Sequence, residues 1–276
     1  MSNNNLLRID VDEILKSKAG KKYDKIPKFL IRYLKKILHQ EELNVFLAEH
    51  PESKDLEFVE DSIKFIDLTV KFEGLENIPD TGRFIFVANH PLGGLESLAM
   101  MQVISKKYKD LVFIVNDMLM FLTPLKNIFV PVNKLGTQSR QYVEMINNAY
   151  FSDKQILYFP AGLCSRKIKG KIVDLEWQKN FIQKSKESKR NIIPIFIKAK
   201  NSNFFYNLAK FRKIFGIKFN IEMLYLVNEM FKQRGQTLNL KIGTPIPFSN
   251  FDNSKTVKEW AQEVKKIVYS LEQSSK

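Results

Sequence analysis

The stretch FVANHPLGGLES, residues 86–97, sets His90 directly after an apolar run, follows it with Gly93 and Gly94, and brings up the carboxylate of Glu96 six positions later. A histidine there can take a proton from an attacking hydroxyl near neutral pH, because an ordinary imidazole titrates at about 6.5. Glu96 can bond the second ring nitrogen and fix tautomer and orientation. The two glycines let backbone N–H groups approach developing negative charge. The same residues also read as a helix-capping turn in which Glu96 simply favours a helix N-terminus. Of the three histidines, His39 lies in a helical pattern and His50 precedes Pro51 at a turn, so His90 is the candidate base.

A second stretch, ILYFPAGLCSRK (156–167), again runs from an apolar strand into Pro160 and Gly162 and then into basic residues. Ser165, Arg166 and Lys167 are candidates for binding an anionic part of an acceptor or donor. The following KIKGKI reads as a solvated hairpin turning at Lys169 and Gly170, which would leave its outer lysines in solvent. Cys164, the single cysteine, excludes an internal disulfide and a multi-cysteine zinc site, and it fits a reducing compartment. Nothing adjacent to Cys164 marks it as a thiolate, and direct attack by a hydroxyl needs only the histidine.

These residues need a scaffold, and the chain supplies short apolar runs that read as strands: 83–88, 111–116, 156–159, 192–197 and 238–243. IKFIDLTVKFEG (63–74) alternates with period two and predicts a half-buried strand. Helices are expected after Gly94, after Val173 with Asp174 and Glu176 near the start, and over 255–273. The alternation predicts an α/β fold, a mixed, mostly parallel sheet flanked by helices. Residues 1–60, helical by pattern, form an N-terminal helical extension, and 61–276 form the main domain.

Lys and Arg total 44 against 30 acids, a formal charge of +14, which points to an acidic partner. Within 25–39 a stripe through Ile26, Phe29, Leu30, Tyr33, Leu34, Ile37 and Leu38 is flanked by Lys28, Arg32, Lys35 and Lys36. Such a helix can lie in a lipid interface or pack on its own domain. Residues 198–220 interleave six phenylalanine and tyrosine rings with lysine and arginine and carry no acid, a composition suited to a membrane interface or to single-stranded nucleic acid. No run approaches the ~18 apolar residues of a spanning helix. The N-terminus lacks the pattern of a signal peptide. A cytoplasmic protein, peripheral on the inner face of the cell membrane, is the expectation.

VANHPLGGLES together with YFPAGLCSRK resembles the paired motifs of the lysophospholipid acyltransferase family, the PlsC-like enzymes. LTPLKNIFVPVNKLG (122–136) occupies the place of that family's acceptor-binding segment, and IIPIFIKA (192–199) is similar to its last, proline-containing strand. The resemblance covers roughly residues 60 to 250 and implies an acyltransferase in which His90 deprotonates an acceptor hydroxyl that attacks an acyl thioester. Glu96 takes the place of the family's aspartate, and Phe159, Pro160 and Gly162 wall the pocket. Backbone donors near Gly93, Gly94 and Gly162 would stabilise the oxyanion. Three departures stand out. Five residues separate His90 from Glu96 where the family has four, Ala161 stands where a glutamate is usual, and the middle segment offers Asn133 and Lys134 where an arginine is usual. Lysine meets phosphate as a point charge, without arginine's fork.

The chain is most similar to a bacterial branch that includes O-acyltransferases of lyso-amino-acid lipids and proteins labelled glycerol acyltransferases or haemolysins. The resemblance implies a lysolipid acceptor, a lyso-amino-acid lipid or lysophosphatidic acid. Acyl-ACP (acyl carrier protein) or acyl-CoA would be co-substrate, with no bound cofactor or metal. An anionic membrane surface and, with acyl-ACP as donor, the carrier protein itself are the implied partners, with no nucleic acid expected. A nucleic-acid-binding basic protein and a non-catalytic lipid-binding relative remain the alternatives.

Overall fold

The computed structural model describes residues 7–132 and 140–273. The strands are β1 (Thr69–Glu73), β2 (Phe84–Ala88), β3 (Leu111–Asn116), β4 (Phe129–Val132), β5 (Gln155–Tyr158), β6 (Arg166–Ile168), β7 (Lys171–Val173), β8 (Asn191–Lys198) and β9 (Thr237–Ile242). The helices are α1 (Val11–Ala19), α2 (Lys28–Ile37), α3 (Gln40–Glu49), α4 (Asp55–Phe65), α5 (Leu95–Ile104), α6 (Arg140–Phe151), α7 (Asn180–Ser188), α8 (Asn203–Ile214), α9 (Leu226–Phe231) and α10 (Val257–Ser270). They fall into two compact units. One is drawn from Met1–Ser53 and Asn201–Arg234, the other from Lys54–Lys200 and Gly235–Lys276.

The second unit carries a seven-stranded sheet in the order β1-β9-β8-β2-β5-β3-β4. Every neighbouring pair is parallel except β8–β9, so the expected mixed, mostly parallel α/β sheet is what forms. Its central strands are apolar on both faces, as a sheet covered on both sides requires: β2 is buried throughout. Alternation then sorts the side chains. Ile85, Val87, Val112, Ile114 and Ile156 join Trp177, Phe181, Val264 and Val268 in one core. Phe84, Phe86, Phe113 and Phe159, of opposite parity, form an aromatic set on the other face. His90 continues that second parity beyond the end of β2, and this places its ring among phenylalanines.

The β6–β7 hairpin is antiparallel and turns through Lys169 (φ 47°) and Gly170 (φ 83°), the positive pair that a tight two-residue hairpin needs. Gly74 (φ 81°) lies against β9, where a Cβ would come within 2.1 Å of the Ile242 carbonyl oxygen.

Several local expectations change. The strand read over 63–74 begins only at Thr69, because Ile63–Phe65 complete α4 and Asp67 (φ 51°) turns the chain out of it. The helix expected straight after Val173 starts at Asn180, and Asp174 is drawn into a buried network described below. Phe129–Val132, read only as part of a binding segment, is the edge strand β4, where Pro131 is tolerated. The helix expected over 255–273 packs through Ala261, Val264 and Val268, which are buried, while Ile267 is 40% exposed.

In the other unit, the Glu222 carboxylate is buried and accepts from Arg212 Nε at 2.9 Å. Buried Glu229 caps α8 by accepting from the Ser202 N–H and hydroxyl. The Tyr33 and Tyr225 hydroxyls lie 2.8 Å apart. Only part of the stripe on α2 packs inward: Phe29, Leu30 and Tyr33 are exposed, whereas Ile37 of the stripe and Ile31 beside it are buried. Phe204, Phe211, Ile214, Phe215 and Phe219 are likewise exposed.

Candidate active site

Strand β2 ends at Ala88, and the next six residues form an irregular loop before α5. Main-chain groups there have no sheet ladder to join, so side chains must satisfy them. Asn89, buried, bonds β8 twice: its amide donates to the Ile197 carbonyl at 2.9 Å, and its oxygen accepts the Ile197 N–H at 2.7 Å. The His90 N–H donates to Asp174, and the His90 carbonyl accepts from the Ser165 N–H at 2.7 Å.

The His90 ring stacks on Phe159, with centroids 4.3 Å apart and planes 17° apart, and Phe159 rests in turn on Phe113 at 5.1 Å. His90 Nδ1 lies 2.9 Å from Glu96 Oε1. The imidazole keeps 14% exposure, while the acid has none. Oε1 also accepts the N–H groups of Leu92 (2.8 Å) and Gly93 (3.0 Å), and Oε2 accepts that of Gly94 (2.9 Å). Burial by itself raises the Glu96 pKa, but the His90 ring and the glycine N–H donors outweigh it and hold the carboxyl below its ordinary value. An ionised carboxylate only accepts, so Nδ1 carries the hydrogen and the lone pair of the neutral ring falls on Nε2.

The other sequence candidates divide. Gly93 and Gly94, expected to face an oxyanion, direct their N–H groups at Glu96 instead, and the Gly162 N–H closes a turn onto the Phe159 carbonyl at 3.0 Å. The Pro160 carbonyl accepts from Gln178 N–H. Arg166 is buried, and its guanidinium donates to the Cys164 carbonyl at 2.8 Å and contacts Cys164 Sγ at 3.0 Å. Ser165 is buried beneath the His90 loop, and Lys167 is exposed on the hairpin. Asn133 and Lys134 lie outside the described residues.

Beside the loop opens a cleft of about 1120 Å³ that touches Asn89, Pro91 and Ser165, but His90, Glu96 and the expected pocket walls Phe159, Pro160 and Gly162 are not among the residues that line it. Lys171, Lys198, Lys200, Lys265 and Lys266 line it against one acid, Glu272. Lys265 is partly structural, since its ammonium donates to the Asp174 and Leu175 carbonyls at 2.7 and 2.9 Å, and burial lowers its pKa. Among the described residues, no group of histidine, cysteine and acidic side chains is arranged to hold a metal ion. No described helix is long and apolar enough to cross a membrane.

Comparison with known proteins gives the class: a family profile described as Acyltransferase matches residues 13–276. The chain belongs to that acyltransferase family. It is 48% identical over 272 residues to a lyso-glycine lipid O-acyltransferase of Phocaeicola vulgatus, covering 98% of each chain. It is equally 48% identical over 272 residues to a lyso-glycine lipid O-acyltransferase of Bacteroides thetaiotaomicron, covering 98% of this chain and 100% of that one. Among solved structures, the 1-acyl-sn-glycerophosphate acyltransferase PlsC of Thermotoga maritima aligns over 96% of this chain and 95% of its own, at 18% identity and a TM-score of 0.47.

Proposed function

We propose that this acyltransferase moves a fatty acyl group from a thioester to the hydroxyl of a lyso-glycine lipid, with His90 as general base and Glu96 as the group that orients it. The observation that carries the reading is the 2.9 Å contact of His90 Nδ1 with a fully buried carboxylate, which leaves Nε2 as the ring's proton acceptor. The acceptor hydroxyl gives its proton to Nε2 as its oxygen bonds to the thioester carbonyl carbon. The C–S bond then breaks, the acyl ester is complete, and the departing sulfur takes the proton back from the imidazolium. Phe159 holds one face of the ring, so the imidazole cannot swing away between the two transfers.

The acceptor assignment is supported by the two relatives, alike over nearly their whole length. For the donor, the lysine-lined cleft beside the loop suits the phosphate carried by the pantetheine arm of acyl-ACP or acyl-CoA. The exposed rings of α2 and α8, set among Lys28, Arg32, Lys210 and Lys213, suit peripheral attachment to the anionic inner face of a membrane. The test is to incubate purified protein with radiolabelled acyl-ACP or acyl-CoA and a panel of lyso-glycine lipid, lyso-ornithine lipid and lysophosphatidic acid. Transfer to lyso-glycine lipid at the highest kcat/KM is expected. Transfer confined to another acceptor would refute the assignment.

A further inference from the structure

The imidazole is placed twice over: Glu96 orients the ring, and a second buried carboxylate holds the main chain from which it hangs. Asp174 is 2% exposed. Its Oδ1 and Oδ2 accept the His90 N–H at 3.1 and 3.3 Å. Oδ1 also accepts the Ser165 hydroxyl at 2.6 Å, and Oδ2 accepts Trp177 Nε1–H at 2.8 Å. Since the Ser165 N–H donates to the His90 carbonyl, both peptide groups of His90 are caught in one ring through Ser165 and Asp174. Asp174 is anchored from behind: its own N–H donates to the Tyr269 hydroxyl at 2.8 Å, and its carbonyl accepts from Lys265. The fixed point lies on the segment between β7 and α7, backed by α10.

A misplacement of about 1 Å in a reacting group costs roughly 100-fold in rate. The loop bearing His90 has no ladder bonds of its own to prevent one. We propose that Asp174 is a positioning residue for the His90 base. It touches no substrate and acts by fixing the His90 backbone so that the ring meets Glu96. The kinetic part of this rests on the reading of His90 as base; the geometric part does not.

The test uses the full-length protein with ¹⁵N-histidine. Three histidines give three imidazole signal sets, and the downfield Nδ1 proton bonded to Glu96 is assigned by its loss in His90→Ala. In Asp174→Asn the amide nitrogen opposes the Trp177 N–H in one orientation and the His90 N–H in the other, so one of the two donors loses its acceptor unless Trp177 is also changed. The His90 Nδ1 resonance is expected to move or broaden, and kcat to fall about 10- to 100-fold with both KM values within about threefold. The double variant Asp174→Asn/Trp177→Phe removes the opposed donor and is expected to restore the resonance and recover about tenfold in kcat. Should Asp174→Asn not fold, Ser165→Ala, which takes one bond from the same ring, is expected to shift the resonance in the same direction. An unmoved resonance in a folded Asp174→Asn, or a loss of kcat matched by loss of folded protein and not rescued by the second change, would overturn the proposal. The resonance is read without substrate, so it tests the positioning even if the wild type transfers no acyl group.

Discussion

Glu96 Oε1 is shared between the His90 ring, 2.9 Å away, and the N–H groups of Leu92 and Gly93, at 2.8 and 3.0 Å. One carboxylate therefore closes the loop and orients the ring that the loop carries. The longer side chain of glutamate and the extra residue between it and His90 act together. The loop curls over the carboxylate, and Gly93 (φ 91°) supplies the backbone conformation that lets successive N–H groups converge on it.

Replacing Glu96 by Gln keeps the shape but puts an amide N–H where an N–H donor now points. The ring keeps at best a neutral acceptor in place of the charged one that fixes its tautomer and would stabilise the imidazolium, and kcat is expected to fall by about two to four orders of magnitude. Steady-state kinetics with labelled thioester measures this. A variant within fivefold of wild type would show that the acid does not orient the base.

The same carboxylate makes stability depend on pH. Burial raises its pKa, yet His90 and the glycine donors bring it below the ordinary 4.5. A carboxyl whose folded pKa lies below its unfolded value contributes stability that is complete above the unfolded pKa and is lost as pH falls through the folded one. Wild type should therefore melt above Glu96→Gln at pH 6, and the gap should narrow below about pH 4.5. Thermal unfolding followed by circular dichroism at stepped pH reads the gap, and a constant gap down to pH 3 would contradict this.

Phe159 supplies the surface on which the imidazole lies. Truncation to Ala would cost about 3–5 kcal/mol as a buried Phe→Ala change, so Phe159→Leu, usually below about 1.5 kcal/mol, is the informative variant. It should remain folded and lose roughly three- to tenfold in kcat, as a ring without its stacked face samples more orientations. Unchanged kcat would remove Phe159 from the account.

Phe211 and Phe215, 49% and 64% exposed, with ring centroids 4.3 Å apart and planes tilted by 37°, project from α8 and the turn after it. Burying a phenylalanine is worth about 1.5–3 kcal/mol. Changing both to Ser should therefore lower partitioning to anionic phospholipid vesicles at least about tenfold, with the melting temperature little altered. Sedimentation with vesicles tests this, and undiminished binding would exclude that face from membrane contact.

What could be read from the sequence was what is local. The runs at 83–88, 111–116 and 192–197 are strands because a sheet covered on both faces needs continuous apolar stretches. The His90–Glu96 pair was visible because its members are six residues apart. Asp174 reads as a helix start because DLEWQ carries the acidic signature of one, while the partner it holds, the His90 N–H, is 84 positions away. No periodicity records that distance. For the same reason nothing in the pattern of 201–234 announced that these residues join the N-terminal helices in one unit. Spacing marks Gly93 and Gly94 as places where N–H groups can converge on negative charge, but it does not distinguish the expected oxyanion from the glutamate three and two residues on, which is what they face.

The central claim is that proton transfer at His90 drives acylation, and His90→Ala tests it most directly. The ring is 14% exposed and its neighbours are held by main-chain bonds, so the variant should give a native circular dichroism spectrum. With labelled thioester and lyso-glycine lipid, its kcat should be at least about 100-fold below that of wild type. A folded His90→Ala protein that acylates the lipid within tenfold of the wild-type rate would contradict the account.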